Sequence, residues 1–169
     1  MAGLFAACHA AYYLAGIRFD DSLLTYSMSV LDLQLLRHRL AQSIFYLHVQ
    51  PPLFNLFVGL VFKLFPGHET LAFNVCYVVL GFILYCAVFA LMRRLSVSAG
   101  LALALSTWFI VSPSFVLYEH WVFYTFMGAT LLTLSTFMFY QVIEKGSPWQ
   151  AIGFFGLLFL IGALQSIFH

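Results

Sequence analysis

Four apolar stretches, residues 71–92, 99–117, 121–143 and 149–168, contain no Asp, Glu, Lys, Arg or His. About 20 residues of α-helix rise about 30 Å, the thickness of the hydrocarbon core of a bilayer. In hydrocarbon every backbone N–H and C=O must be satisfied within the segment, so runs of this length are expected to be helices. The expected fold is therefore all-α, a polytopic transmembrane protein. Composition supports this reading: 63% of the residues are hydrophobic and 8% charged, against roughly 45–50% and 25% in soluble domains. A formal charge of +1 provides no basic field for nucleic acid. Cys8, Cys76 and Cys86 lie in apolar runs without C-x-x-C spacing, which argues against a thiolate metal site.

The polar side chains are concentrated earlier in the chain. Residues 1–17 form a short apolar run, read as a first membrane helix. From Asp20 onward, Leu24, Met28, Leu31 and Leu35 recur at helical spacing among Asp32, Gln34, Arg37 and Arg39, the pattern of an amphipathic helix at a membrane interface. Pro51 and Pro52 then open a helix that Pro66 and Gly67 should stop. Its thirteen residues, 53–65, would rise only about 20 Å, so it is expected to lie at the interface or re-enter rather than cross. Residues 20–65 are thus read as interfacial helices of a first extracytoplasmic loop, and residues 1–169, with five spans at 1–17, 71–92, 99–117, 121–143 and 149–168, as the N-terminal part of a longer protein.

Charge placement pulls two ways. Five spans put Arg93, Arg94 and Lys145 on one side, which the positive-inside rule makes cytoplasmic. They leave Arg18, Arg37 and Arg39 on the other, and by charge counting alone six spans would serve better. The five-span arrangement collects Asp20, Asp21, His38, His48, His68, Glu119, His120 and His169 at one face, where a polar site can assemble. Polar residues also collect in loops for no functional reason. Asp20 reads equally as the N-cap of the following helix, with Asp21 favoured by the helix dipole. Asp32, eleven residues after Asp21, reads as a solvated face residue. Asp20, His48, Glu119 and His169 have donor types that suit a divalent cation, without any short ligand spacing.

The ordered series Phe19-Asp20-Asp21-Ser22, His48-Val49-Gln50-Pro51-Pro52-Leu53-Phe54-Asn55, Lys63-Leu64-Phe65-Pro66, Arg93-Arg94-Leu95, Ser112-Pro113 and Leu117-Tyr118-Glu119-His120-Trp121 resembles the multi-spanning (GT-C) glycosyltransferases that use polyprenyl-phosphate-linked sugars. Protein O-mannosyltransferases and lipid A aminoarabinose transferases belong to that group. The resemblance implies an acidic residue after the first span, here Asp20 or Asp21, that takes the proton of an acceptor hydroxyl during inverting transfer. It further implies an acidic second loop, matched by Glu119, and a site lined by the helix that opens at Pro51 and Pro52. The leaving phosphate needs a cation, which Arg18, Lys63 or a histidine can supply, and the candidate substrate-binding residues are Arg18, His48, Gln50, Lys63, Glu119 and His120. The expected partners are a polyprenyl-phosphate-linked sugar, an acceptor protein, lipid or glycan, and membrane lipids. A cofactor, if any, would be a divalent metal ion. Two other classes compete. A transporter usually carries ionisable residues within its spans, which the four strong runs lack; a non-catalytic assembly subunit needs none.

Overall fold

The computed structural model describes residues 1–26, 30–46 and 51–164. Among them the chain forms ten α-helices: α1 Ala2–Leu14, α2 Leu23–Tyr26, α3 Leu33–His38, α4 Leu40–Phe45, α5 Pro52–Leu64, α6 Glu69–Arg94, α7 Ala99–Ile110, α8 Pro113–Glu119, α9 Tyr124–Lys145 and α10 Pro148–Leu164. Two of these, α6 and α9, are long and apolar enough to cross a membrane, and α7 with α8 makes a third such element if the bent pair is one span. Helices α1, α5 and α10 are apolar but shorter.

Helix α6 is central. Its Phe73, Tyr77 and Tyr85 are fully buried, and it packs against α7 on one side and α9 on the other. Buried aromatic hydroxyls need partners, and both tyrosines find one. Tyr77 Oη donates to Phe123 O at 2.8 Å, just before α9. Tyr85 Oη lies 3.0 Å from Thr107 Oγ1 in α7. At the far end Arg94 pairs with Glu144 at 2.6 Å, while Tyr140 Oη donates to Arg94 O at 3.1 Å. Start meets start and end meets end, so α6 and α9 run parallel with α7 and α8 returning between them. Helix α10 then runs back along α9, where Gln150 Nε2 donates to Gln141 Oε1.

Three sequence expectations need correction. The amphipathic stretch after Asp20 is not one helix but the short helices α2, α3 and α4. Asp32 is the reason for one break: its Oδ1 accepts from the backbone N–H of Gln34 (2.8 Å) and Leu35 (3.2 Å), making it the N-cap of α3 rather than a free surface acid. The run 99–117 is likewise broken, with a bend of 61° between α7 and α8. Pro113 causes it, since proline donates no N–H and its ring clashes with the preceding turn, and Ser112 caps the new helix by accepting from Phe115 N. The run from Trp121 becomes helical only at Tyr124, because residues 121 and 122 are extended against Asp20.

By contrast the helix expected after Pro51 runs from Pro52 to Leu64, bounded by proline at one end and by Gly67, with φ of +82°, just beyond the other. It buries Phe54, Val58, Val61 and Phe62 on one face.

The cap assignment makes a local forecast. Asp32→Ala should cost α3 about 0.5–2 kcal/mol, whereas Asp32→Asn should be nearly neutral. Hydrogen exchange at the Gln34 and Leu35 amides reads this directly: a rise of roughly 2- to 30-fold in the alanine variant is expected, and equal rates in both variants would remove the cap.

Candidate active site

Two backbone hydrogen bonds join the segment after α1 to the segment after α8. Asp20 N donates to His120 O at 2.8 Å, and Val122 N donates to Asp20 O at 3.2 Å, an isolated parallel β-bridge between Asp20 and Trp121. The chain can reach this position because α1 ends at Leu14 and Gly16, at φ +84°, turns it back. Beside the bridge lies a cavity of about 830 Å³ between the end of α1, helix α2 and the α7/α8 bend. Its apolar wall comes from Ile17, Leu23, Val111, Val116 and Leu117, and its polar side chains are Tyr12, Arg18, Asp20, Ser22, Tyr26 and His120.

Asp20 presents an exposed carboxylate at this cavity. Its Oδ1 accepts from Ser22 N at 2.9 Å, an Asx-type turn rather than an N-cap of a long helix. Hydrogen bonding from the Ser22 side chain, then from its backbone N–H, holds the carboxyl below its ordinary range. The sign follows: Asp20 is ionised at neutral pH, and its stabilising hydrogen bonds are lost only as pH falls through the lowered folded value. Arg18 donates to Tyr13 O (2.7 Å) and Ile17 O (3.0 Å) and lies 4.0 Å over the Tyr13 ring. A cation is thereby fixed at the C-terminal end of α1, where the helix dipole favours it, on the rim of the cavity.

The neighbouring acid is placed differently. Asp21 Oδ2 accepts from Thr70 Oγ1 at 2.6 Å in the first turn of α6, and Asp21 is not among the residues lining the cavity. The two aspartates, equivalent by sequence, thus point to different neighbours.

Glu119 departs furthest from expectation. The sequence placed it in an aqueous loop, but it closes α8 with 1% of its surface exposed. Its carboxylate fills the space left by the missing side chain of Gly81 in α6, where a Cβ would come within 1.8 Å of Oε1. Glu119 Oε2 is 3.2 Å from His9 Nε2 and 4.0 Å from His120 Nδ1. Neither carboxylate oxygen has an aligned hydrogen bond, and nor does His9 Nε2. Both imidazoles direct Nδ1 to the carbonyl one turn back, His9 to Phe5 O at 3.0 Å and His120 to Val116 O at 2.9 Å. His9 and Tyr12 were passed over in the sequence as parts of an apolar run. The signal was present, since an ionisable side chain within such a run is itself a candidate functional residue.

The remaining candidates scatter. Lys63 is exposed in the last turn of α5 and does not line the cavity. His48, Gln50 and His169 lie outside the described residues. Among the described residues no three His, Cys, Asp or Glu side chains converge as a metal site would require, and Asp20 faces the cavity while Glu119 is buried in the bundle. No protein-family model, curated protein or solved structure matches the chain significantly. The class defined at this point is an all-helical protein with two, or with the bent pair three, candidate membrane helices and an amphipathic cavity at one end.

The Gly81 notch is testable. Gly81→Ala should lose about 1–3 kcal/mol through overpacking against the Glu119 carboxylate. In thermal unfolding, Glu119→Ala should partly rescue that variant. Strictly additive losses would show that the two residues do not share the space.

Proposed function

We propose that the chain is part of a membrane glycosyltransferase that moves a sugar from a polyprenyl-phosphate donor to an acceptor hydroxyl at the extracytoplasmic surface. The observation that carries this reading is the cavity at the Asp20/Trp121 bridge, which sets an ionised carboxylate and a fixed guanidinium beside an apolar wall. Its size lies in the range of ligand sites, about 300–1,000 Å³. A lipid-borne phosphosugar needs those three features: apolar surface for the chain, a cation for the phosphate, and a base for the incoming hydroxyl.

In this mechanism the acceptor oxygen attacks the anomeric carbon as its proton passes to Asp20. The bond from that carbon to the phosphate oxygen breaks, the electron pair leaves with the lipid phosphate, and the configuration inverts. Arg18 offsets the charge left on the phosphate. Asp20 takes the role of base in preference to Asp21, because Asp21 is committed to Thr70. The topology that suits this has five spans, with the cavity outside and the end that carries Arg94 and Lys145 in the cytoplasm.

One observation favours a second reading. The buried His9–Glu119 contact is an ionisable pair inside the helical bundle, the kind of feature a proton-coupled transporter carries. Consumption of a polyprenyl-phosphate sugar by membranes containing the whole protein separates the two, since a transporter leaves the donor intact.

Two measurements test the proposal. Asp20→Asn should lower sugar transfer by about 10² or more at unchanged membrane abundance, with Asp21→Asn retaining most activity. Full activity of Asp20→Asn would sink the assignment. For topology, single cysteines at Ser43 and Ser96 should label from opposite faces of intact cells, Ser43 from outside. Labelling of both only after permeabilisation would support six spans and remove Asp20 from the donor side.

A further inference from the structure

Glu119 is a costly group to bury. A carboxylate taken out of water and left without aligned hydrogen bonds is destabilising unless something compensates it. What surrounds it is two imidazoles. His9 Nε2, at 3.2 Å, faces Oε2, and because His9 Nδ1 already gives its proton to Phe5 O, a neutral His9 would turn a lone pair toward the carboxylate. A proton on either residue would convert that opposition of lone pairs into a hydrogen bond. His120 Nδ1 lies 4.0 Å from the same oxygen, with its ring stacked 6.1 Å from that of His9.

His120 also lines the cavity. Its Nδ1 is engaged with Val116 O, which leaves Nε2 as the ring nitrogen free to meet a ligand there. Such a nitrogen accepts a hydrogen bond when the ring is neutral and donates one when the ring is protonated. An anionic phosphate needs a donor. A protonated ring would donate from Nε2 to a bound anion, with Nδ1 4.0 Å from the Glu119 carboxylate. The other titratable or charged groups around the ring are Tyr12, in edge contact at 5.9 Å, and Arg18, Asp20 and Tyr26 across the cavity.

We propose that the cavity is a phosphate site that takes up a proton as it fills. His120 donates from Nε2 to the phosphate, and Glu119, shared with His9, is the positioning residue that lets His120 accept the proton from solvent. This rests on the reading of the cavity as a phosphosugar site only for the anion's attachment to a lipid. The ligand chemistry itself is a phosphate, and it has two possible sources, a prenyl-chain phosphate or free inorganic phosphate.

The test is calorimetric binding to the whole protein in lipid nanodiscs, with farnesyl phosphate and inorganic phosphate as probes in two buffers of different ionisation enthalpy. At a pH near 8, where a phosphate monoester carries both charges, farnesyl phosphate should bind with uptake of a substantial fraction of one proton in the wild type. His120→Gln should bind at least 10-fold more weakly with uptake near zero. Glu119→Gln, which keeps shape and removes the charge, should weaken binding and cut the proton uptake by half or more. If Glu119→Gln folds poorly, His9→Gln provides a second variant that perturbs the same carboxylate and should likewise change the proton uptake. Inorganic phosphate alone binding as tightly as farnesyl phosphate would assign the site to the free anion, with the same proton uptake. Proton uptake unchanged in both His120→Gln and Glu119→Gln, or binding of neither probe, overturns the inference. Proton-linked binding without any sugar transfer would overturn the glycosyltransferase reading and leave this one standing.

Discussion

Two backbone hydrogen bonds at Asp20 hold the candidate site together. The carbonyl of His120 and the N–H of Val122 grip both sides of one residue that lies about a hundred positions earlier in the chain. Because the partners are main-chain atoms, the contact does not depend on which side chains are present, and it fixes the spacing of everything attached to either segment. Arg18 and Ser22 come into place from one side, His120 and the α8 helix from the other. Without the bridge the end of α1 would have only side-chain contacts to keep it near the α7/α8 bend, chiefly Tyr12 Oη to Ile110 O at 2.9 Å and His9 to Glu119.

Below the bridge the bundle tolerates an uncommon arrangement. A carboxylate is buried where α6 offers Gly81 rather than a side chain, and two histidines on different elements, His9 at 3.2 Å and His120 at 4.0 Å, face it. The same region contains dense aromatic contacts, Phe5 with Phe82 and Tyr85, and Phe115 with Phe126, which exclude water and raise the strength of any charge interaction inside. The cavity sits at the edge of this dry region, with its polar side chains at the bridge and its apolar wall along the bend.

The bend at Pro113 serves both. A straight helix from Ala99 would continue past the level of the bridge, whereas a turn of 61° after Ile110 swings α8 across and brings Glu119 under α6. Proline supplies the break and Ser112 makes it inexpensive, since the hydroxyl satisfies an N–H that the new helix leaves free.

The sequence by itself determined the helical class and most of the long elements. Apolar runs of bilayer length have few ways to satisfy their backbone, and local punctuation set several boundaries: Pro51, Pro52, Pro66 and Gly67 frame α5, and Ser98 caps α7. It also singled out Asp20, Arg18 and His120, which the structure brings to one cavity. What it left undecided was every question of direction. Asp20 and Asp21 are chemically identical neighbours, and only the placement of Thr70 and Ser22 sends one to α6 and the other to the cavity. Glu119 sits beside polar residues in sequence, yet a glycine 38 positions earlier draws it into the bundle. His9 meets Glu119, 110 residues later in the chain, only in the folded structure. Local interactions decide whether a segment is helical; burial and pairing depend on residues far apart in the chain, and those meet only in the tertiary structure.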